Sequence, residues 1–443
     1  VLVVPYRSGG RGLFAIDVTD PFNPFVRWEI DNTRHCWRSD VGNHSCKTYA
    51  DGDGHDFRNL GYTHGKPKIG TVFVKNSAGI AEETAAVFFP CGDGVSAEPQ
   101  SGKCFMVVRL DNGTKLKEFK NGDNSVTDTN TAIGNNVELE FDVVGSPAAY
   151  NTFIGTFVTR LFVGDEGGQL WRIDVSEQDP SDWEMSFFFD PYADAYSARI
   201  DDSVRSPLAS EPALSPVPQR GQVVVVFGTG DLDYANDLTQ KTLVYSVKET
   251  LGTDAATGAV SSDGVTSEVN WKTELKEGEN LTSRPIVFSN TAYFTSFEPD
   301  KLDACEGGTG RIWGVDFLES DGTEPVARFD KDGDTSTVDD VVKFISLEDS
   351  IPYGINLISR PACTGESGVS DAAGSGSGVG GSALLNAKPG QLELVVQTGS
   401  KGQNSASSQP AQGAKGTVNK VHRSITQPPK QVLSISWGQV QSL

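Results

Sequence analysis

Six stretches of the chain repeat one short pattern, and this repetition constrains the fold more than any other feature. Each copy is an apolar or β-branched strand, a turn rich in Gly and Asp, and a second apolar strand that often ends in Asp. The clearest copy, from Leu161 to Asp174, reads LFVGDEGGQLWRID. The other copies lie at 1–17, 86–111, 223–247, 292–316 and 392–437. Such a repeat predicts an array of similar sheets rather than one α/β domain.

The spacing of the copies and their prolines favours the blades of a propeller. Steps of 63, 73 and 69 residues separate Asp111, Asp174, Val247 and Asp316. These steps exceed the roughly 40–50 residues of common propeller repeats, so we expect inserted loops. A proline precedes most hairpins, and it suits the first residue of a strand because it lacks an N–H for the ladder. We interpret the following prolines as entries to the innermost strand of each blade: Pro67, Pro147, Pro212, Pro285 and Pro361. Few helical patterns occur, so the predicted fold is all-β, a β-propeller with six visible repeats and long inserted loops.

Four polar segments interrupt the repeats of what we expect to be a single domain spanning 1–443. They lie at 31–60, 253–270, 367–382 and 401–420. Segments of this composition cannot bury a core of their own, so we expect them on the faces or rims of the propeller. The last segment contributes to a basic patch, which either aids solubility or forms a docking site.

The charge balance excludes some partners. The chain has 37 Lys and Arg against 59 Asp and Glu, a net charge of −22. A chain this acidic is not expected to bind nucleic acid or an anionic membrane. No run of roughly 18 apolar residues occurs, so we expect no membrane-spanning segment, and no signal peptide is visible. The chain starts inside a hydrophobic strand at Val1, which we interpret as a fragment of a longer protein.

Six cysteines form three local pairs, which predicts disulfides and an oxidising compartment. The predicted pairs are Cys36–Cys46, Cys91–Cys104 and Cys305–Cys363. A zinc site is the alternative, because four of the five histidines lie near the first pair. No C-x₂-C pair accompanies them, however, and zinc sites usually show one.

The sharpest chemical motif is FDKDGDTSTVDD at 329–340. Alternating carboxylates in a curled loop can surround Ca²⁺, which takes 6–8 oxygen ligands. The predicted metal ligands are Asp330, Asp332, Asp334, Ser336 and Asp340. Position twelve of the standard calcium loop would be Val341, so Asp339 or Asp340 must close a shorter loop. A second register runs from Asp332 to Asp340 through the Val338 carbonyl.

The alternative to a metal site at 329–340 is an acidic, solvated turn, in which the like charges repel one another. A weaker version of the motif lies at 51–56, where we expect a plain turn.

Asp165 resembles a catalytic residue, but its place in a Gly-rich turn favours a structural role as a cap for backbone N–H groups. Trp171, Trp313 and Trp437 are expected to fill equivalent positions between blades.

The motifs of common enzymes are missing from the sequence. It contains no His-Glu-x-x-His, no Gly-x-Ser-x-Gly and no phosphate-binding Gly-x₄-Gly-Lys-Ser/Thr. We therefore expect a protein that is not an enzyme. Two rival functions are a propeller-type quinone-dependent dehydrogenase and a glycan-binding propeller. The dehydrogenase would need a redox cofactor on the central axis, and the vicinal Cys-Cys pair common in that class is absent.

Four segments resemble the C-terminal propeller of the PilC/PilY family, the tip-associated adhesins and biogenesis factors of bacterial type IV pili. They are Gly9–Pro21, Leu60–Pro67, Val163–Asp174 and Phe227–Gly230. The likeness covers the chain from its start to Trp437. The GGRGLFAID segment is fairly specific, whereas the Gly-Asp-x-x-Gly-x-Leu-Trp pattern also occurs in quinoproteins and other propellers.

The resemblance implies a modified seven-bladed propeller and a missing N-terminal adhesive region. It also implies a calcium loop that regulates pilus extension and retraction, and it matches the Asp332–Asp340 register, with Ser336 where the family has Asp. In the family such a loop is expected directly before a Gly-Asp-x-x-Gly-x-Leu-Trp hairpin, but here it follows the hairpin that ends at Asp316. The implied partners are minor pilins at the pilus tip and a host or abiotic surface. The implied location is the bacterial outer surface, reached through the periplasm.

Overall fold

The computed structural model describes most of the chain in fifteen ranges. These are 1–40, 43–76, 78–122, 126–128, 138–151, 157–192, 205–217, 222–230, 241–253, 260–299, 308–330, 341–348, 350–359, 392–400 and 418–425. The chain divides into two compact units, unit 1 (Val1–Gly278) and unit 2 (Glu279–Leu443). The single domain expected over 1–443 stays a prediction.

The described residues of unit 1 form four sheets, which follow one another along the chain. Sheet 1 has the strands β1 Leu2–Pro5, β2 Gly12–Asp17, β3 Phe25–Asp31, β4 Arg34–Asp40 and β5 Asn43–Thr48. Sheet 2 has β6 Lys68–Lys75, β7 Ala81–Pro90, β8 Cys104–Arg109 and β9 Lys115–Lys120. Sheet 3, in the order β10-β14-β13-β12-β11, has β10 Val126–Asp128, β11 Ala148–Asn151, β12 Val158–Gly164, β13 Leu170–Asp174 and β14 Glu184–Phe189. Sheet 4 has β15 Ala213–Pro216, β16 Val223–Gly228, β17 Leu243–Thr253 and β18 Val260–Glu274. All these strands pair antiparallel except β10, which is parallel to β14.

Three sheets are formed by the part of unit 2 that the structure describes. Sheet 5 has β19 Asn280–Leu281, β20 Ile286–Phe288, β21 Thr291–Pro299, β22 Gly308–Asp321, β23 Glu324–Ala327 and β26 Phe344–Glu348. Sheet 6 is the small pair β24 Phe329–Asp330 and β25 Val341–Val342. Sheet 7 has β27 Ser350–Ser359, β28 Leu392–Ser400 and β29 Val418–Ile425. The helices of the described ranges are four short 3₁₀ turns, Arg7–Gly9, Tyr49–Asp51, Asp53–His55 and Pro180–Asp182. None of the helices in these ranges is long and apolar enough to cross a membrane.

Continuous apolar runs occur in sheets 2 and 3 because these two sheets are buried on both faces. Successive side chains of a strand point to opposite faces. In β7, Val87 packs in the core shared with sheet 1, whereas Phe88 packs in the core shared with sheet 3. In β12, Leu161 faces sheet 2 and Phe162 faces sheet 4. A run such as AVFF or RLFVG therefore supplies two cores at once, which explains why these strands do not alternate between apolar and polar residues.

The prolines mark strand entries as predicted. Pro67, Pro147, Pro212 and Pro285 each directly precede a strand, β6, β11, β15 and β20 respectively. Three of these strands, β6, β11 and β15, are edge strands of their sheets, and β11 contacts both of the others. Pro361 lies outside the described residues.

Five of the six repeats are confirmed as hairpins of adjacent antiparallel strands. In the first, Leu2 pairs with Ile16, and in the third, Val163 pairs with Trp171. The sixth differs from the prediction, because β28 pairs with Val418–Ile425 of β29. Its predicted second strand, 432–437, lies outside the described residues, and so does the insertion at 367–382. The strand β29 begins at Val418, so it includes the last residues of the segment 401–420, which the sequence analysis predicts to be a polar insertion.

Two other predicted insertions contain regular structure. The segment 31–60 includes β4, β5 and two 3₁₀ turns, and its hairpin extends sheet 1. Cys36 and Cys46 face each other across this hairpin and form a disulfide. The segment 253–270 lies at the far end of the long β17–β18 hairpin, so 260–270 is strand. Composition alone does not separate a loop from a polar edge hairpin.

Candidate functional site

The predicted calcium loop starts and ends on a pair of strands. Asp330 of β24 is the antiparallel partner of Val341 in β25, so the chain returns to its starting point after ten residues. The structure describes the backbone of Asp330. The other predicted ligands, Asp332, Asp334, Ser336 and Asp340, lie outside the described residues, as does the Val338 carbonyl of the second register.

The strand pair at the base of this loop is held firmly by sheet 5. The Phe329 ring is 4 % exposed and lies edge-on to Tyr293 in the core of unit 2. A Cβ on Gly314 would lie 2.5 Å from the Phe329 ring, so only glycine allows this close approach. The backbone N–H of Arg328 donates to the Gly314 carbonyl (3.0 Å), and the Gly314 N–H donates to the Lys343 carbonyl (2.9 Å). Both ends of the loop are therefore fixed on the same strand, β22.

The cations beside the loop are paired with carboxylates of sheet 5. Arg328 donates from Nε to Asp316 Oδ2 (2.9 Å) and also contacts Glu319 Oε2 (3.2 Å). The Asp316 side chain is 3 % exposed. Its other oxygen accepts from the backbone N–H groups of Leu318 (2.8 Å) and Glu319 (2.7 Å). On the other side of the loop, Lys343 Nζ lies 3.2 Å from Glu324 Oε2.

Two observations bear on the predicted calcium ion, the donor types of the loop sequence and the position of the loop's ends. The sequence of the loop offers carboxylate, hydroxyl and carbonyl oxygens, which are the ligands that Ca²⁺ prefers. The pairing of Asp330 with Val341 brings the two ends of the loop together. The ion pairs of Arg328 and Lys343 give these two cations partners outside the loop.

A second group of carboxylates lies in unit 1, and the sequence analysis missed it. Oxygen atoms of Asp93, Asp142 and Glu166 all lie within 4.8 Å of one another. The Gly94 N–H donates to Asp142 Oδ2 (2.7 Å), and the Glu166 N–H donates to the Asp142 carbonyl (2.8 Å). Burial raises the pKa of Asp142 and of Glu166, and the neighbouring carboxylates raise both pKa values further. Three acidic oxygens in this arrangement could bind a cation or share a proton.

A partial signal for this carboxylate group exists in the repeats. Asp93 follows β7 in the turn of the second copy, and Glu166 lies in the corresponding turn of the third copy. The turns of neighbouring sheets can meet in space if the sheets pack face to face. Asp142, however, lies in a connecting segment without a recognisable motif, so its place could not be predicted.

Asp165 has the structural role that the sequence predicts. Its side chain is fully buried and accepts from the Gln169 N–H and from Trp171 Nε1, both at 2.8 Å. Burial raises the pKa of Asp165 to about 7, against the effect of these two donors. Trp171 packs in the core between sheets 2 and 3. Trp313 is also buried, stacks on Phe294 and donates to Ser296, whereas Trp437 lies outside the described residues.

The first cysteine pair forms a disulfide rather than part of a zinc site. Cys36–Cys46 and Cys91–Cys104 are both bonded, so the sulfurs near the histidines are not zinc ligands. Cys305 and Cys363 lie outside the described residues.

His35 is buried, with Nδ1 2.8 Å from His55 Nδ1 and Nε2 2.7 Å from the Asn112 carbonyl. Because that carbonyl can only accept, Nε2 carries the proton and His55 donates to His35. Burial lowers the pKa of His35 to about 4.

Comparisons with known proteins identify the family of the chain. The family model described as the PilY1 beta-propeller domain matches residues 1–277, more than half of the chain. The chain belongs to the PilY1 β-propeller family. The resemblance seen in the sequence is thereby confirmed, and the fold is an all-β propeller, as predicted.

Curated relatives carry the same family name. The chain is 23 % identical over 302 residues to the type IV pilus biogenesis factor PilY1 of Pseudomonas aeruginosa strain UCBPP-PA14, covering 61 % of this chain and 22 % of that protein. It is 23 % identical over 354 residues to a PilY1 homolog of Xylella fastidiosa, covering 71 % of this chain and 21 % of that protein. The chain therefore spans between a fifth and a quarter of these relatives.

A solved structure has a similar fold. The crystal structure of the Pseudomonas aeruginosa PilY1 C-terminal domain superposes with a TM-score of 0.52. The match covers 81 % of this chain and 77 % of that domain, at 19 % sequence identity. At this identity the likeness concerns the fold.

Proposed function

We propose that this chain is the propeller part of a type IV pilus biogenesis factor, which docks at the pilus tip and contributes to surface adhesion without catalysing a reaction. The observation that supports this most strongly is the family match over residues 1–277. The relatives in Pseudomonas and Xylella are named as type IV pilus biogenesis factors. The site of action would be the outer surface of the bacterium, where the two disulfides can persist.

We also propose that the loop 330–340 binds Ca²⁺ through Asp330, Asp332, Asp334, Ser336 and Asp340. Two features support the proposal, namely the alternating acids of the sequence and the pairing of Asp330 with Val341 at the loop's base. Without a cation the clustered carboxylates repel one another, and a bound Ca²⁺ would neutralise them. The ion would thereby favour one conformation of the loop and lower the entropy cost of binding a partner there.

Isothermal titration tests this calcium site. The wild-type chain should bind one Ca²⁺ at the loop, with an affinity between about 10⁻⁷ and 10⁻³ M. The double variant Asp332→Ala/Asp334→Ala should lose this binding. Asp53→Ala, in the acidic turn that the sequence analysis takes as a plain turn, is the matched control and should keep it. Equal calcium binding by the wild type and the double variant would refute the site.

Docking to pilins would use an exposed sheet edge. Within the described ranges, β5 is the terminal strand of sheet 1, and most of its side chains are exposed. A terminal strand presents backbone N–H and C=O groups to which an extended segment of a partner can pair.

Two other functions predict different outcomes. A quinone-dependent dehydrogenase would show cofactor absorbance in the near-ultraviolet and visible range after purification, whereas a pilus docking protein should show only the absorbance of its aromatic residues. A glycan-binding propeller would give reproducible signals on a glycan array.

A further inference from the structure

A lysine, an asparagine and a glutamate of unit 1 are joined by hydrogen bonds beside sheet 2. Lys115 and Glu118 lie on β9, and Asn59 lies in the segment that leads from sheet 1 to β6. Lys115 Nζ donates to Glu118 Oε2 (2.6 Å), and Asn59 Nδ2 donates to Glu118 Oε1 (2.8 Å). One carboxylate therefore binds an amine through one oxygen and a primary amide through the other.

The amine and the carboxylate are shielded from water. The side chains of Lys115 and Glu118 are each 8 % exposed. The ring of Phe57 is buried, and its centroid lies 5.6 Å from Lys115 Nζ. Little water can therefore reach these groups, and the hydrogen bonds between them are stronger than they would be in solution.

Backbone groups fix the two ends of this arrangement. Lys115 Nζ donates a second hydrogen bond to the Asp56 carbonyl (2.6 Å). The Asn59 carbonyl accepts from the Gly102 N–H (2.9 Å), which ties the asparagine to the turn before β8. The amine and the amide are thus held on the same carboxylate by groups that belong to the fold itself.

This arrangement suits the exchange of one amide bond for another. A lysine amine becomes a nucleophile after it loses a proton to an adjacent base, and Glu118 lies within the distance that proton transfer requires. The same carboxylate contacts Nδ2 of Asn59, the nitrogen that would leave. Holding both reactants on one group makes the attack intramolecular, which removes much of its entropy cost. The reaction is needed only once in each molecule, so a slow rate suffices.

We propose that Lys115 and Asn59 form an intramolecular isopeptide bond, with Glu118 as the proton carrier. Glu118 accepts a proton from the Lys115 ammonium, and the neutral Nζ adds to Cγ of Asn59. Glu118 passes the proton to Nδ2, and the Cγ–Nδ2 bond breaks as the Cγ–Nζ amide forms. The leaving nitrogen departs as ammonium with two protons from Nζ, and Glu118 returns to a carboxylate. No oxidant or other reactant is required.

The bond closes a loop around sheet 2. It joins β9, one edge strand of the sheet, to the segment that enters β6, the opposite edge strand. The enclosed chain contains β6, β7, β8 and the Cys91–Cys104 disulfide. Closing this loop lowers the entropy of the unfolded chain and stops β9 from separating from the rest of the sheet. Lys120, whose Nζ lies 3.6 Å from Glu118 Oε2, compensates the carboxylate after Lys115 has become neutral.

Mass spectrometry of the wild-type chain tests the inference without any variant. After reduction of the disulfides, the intact mass should be lower than the mass calculated from the sequence by one ammonia. Proteolysis should give one branched peptide, in which the fragment containing Asn59 is joined to the fragment containing Lys115. An intact mass equal to the calculated mass would refute the bond. Loss of ammonia without a branched peptide would indicate a succinimide at Asn59 and would also refute it.

Variants of the three residues test their roles. Lys115→Arg and Asn59→Ala each remove a reactant, and Glu118→Gln removes the proton carrier while keeping its size. Each of these three variants should have its full calculated mass. The matched control is Lys117→Arg on the same strand, since Lys117 donates to the Ser181 carbonyl (3.0 Å), and this variant should still lose one ammonia. A branched peptide that persisted in Lys115→Arg or in Glu118→Gln would overturn the assignment.

Discussion

A buried charge network joins two neighbouring sheets of unit 1. Glu249 on β17 of sheet 4 is completely buried. It accepts from Arg172 Nε of β13 (2.7 Å) and from Arg160 of β12, both in sheet 3. Arg172 also contacts Asp174 at 2.9 Å. One carboxylate thus connects two strands of one sheet to the next sheet.

Replacing Glu249 by Gln should destabilise unit 1 strongly. The side chain keeps its size and one acceptor oxygen but loses its charge, and two buried guanidinium groups lose a counter-charge. Removing one partner of a buried ion pair costs about 3–5 kcal/mol. Arg172 keeps a second carboxylate, Asp174, which moderates the loss. We expect a decrease in the free energy of unfolding near the lower end of this range.

Hydrogen exchange measures this loss locally. Val225 and Val247 are partners in the β16–β17 ladder beside Glu249. A change of about 3 kcal/mol lowers the protection of such amides by about two orders of magnitude. The matched control is Glu268→Gln, which breaks the Lys248–Glu268 ion pair of the same sheet. The Glu268 side chain is 61 % exposed. An exposed pair contributes about 0–1 kcal/mol, so protection should change less than about tenfold. If Glu249→Gln changed protection as little as the control does, the reasoning about the buried network would be wrong.

The remaining predictions concern the hairpin of sheet 1. Mild reductant should open the disulfide of Cys46, which is exposed, before that of Cys91 and Cys104, which are both buried; thiol labelling followed by peptide mapping reads the order, and equal rates would contradict it. Burial lowers the pKa of His35 from 6.5 to about 4, so the folded hairpin favours the neutral ring. The stability from this preference is complete above about pH 6.5 and is lost as the pH falls towards 4. Hydrogen exchange of β4 and β5 should therefore accelerate, beyond its intrinsic pH dependence, between pH 7 and pH 4, and His35→Leu should remove this acceleration.

The strands of the repeats could be predicted because each copy carries its own local signal. The run Val223–Phe227 is entirely buried, and Val223, Val225 and Phe227 pack in the core shared with sheet 3. The turn at Asp165 could be predicted equally well, because a carboxylate shortly before two glycines suits a tight turn whose backbone N–H groups need a cap. Local patterns of this kind depend on the residues of one hairpin alone.

Contacts between repeats could not be predicted in the same way. Glu249 and Arg160 are 89 residues apart in the chain, and no pattern in either strand specifies the other. Asp93, Asp142 and Glu166 likewise come from three segments that meet only after sheets 2 and 3 have packed. The hairpin within 31–60 was predicted as a loop because its exposed edge strand has the polar composition of a loop.

Capture of minor pilins tests the central claim most directly. The chain, immobilised and mixed with the minor pilins of the same bacterium, should retain them in the presence of calcium. It should retain fewer after chelation, and the Asp332→Ala/Asp334→Ala variant should behave in calcium as the wild type does with chelator. If no pilin is captured under either condition, while pili assemble normally in cells that lack this protein, the proposed role at the pilus tip is wrong.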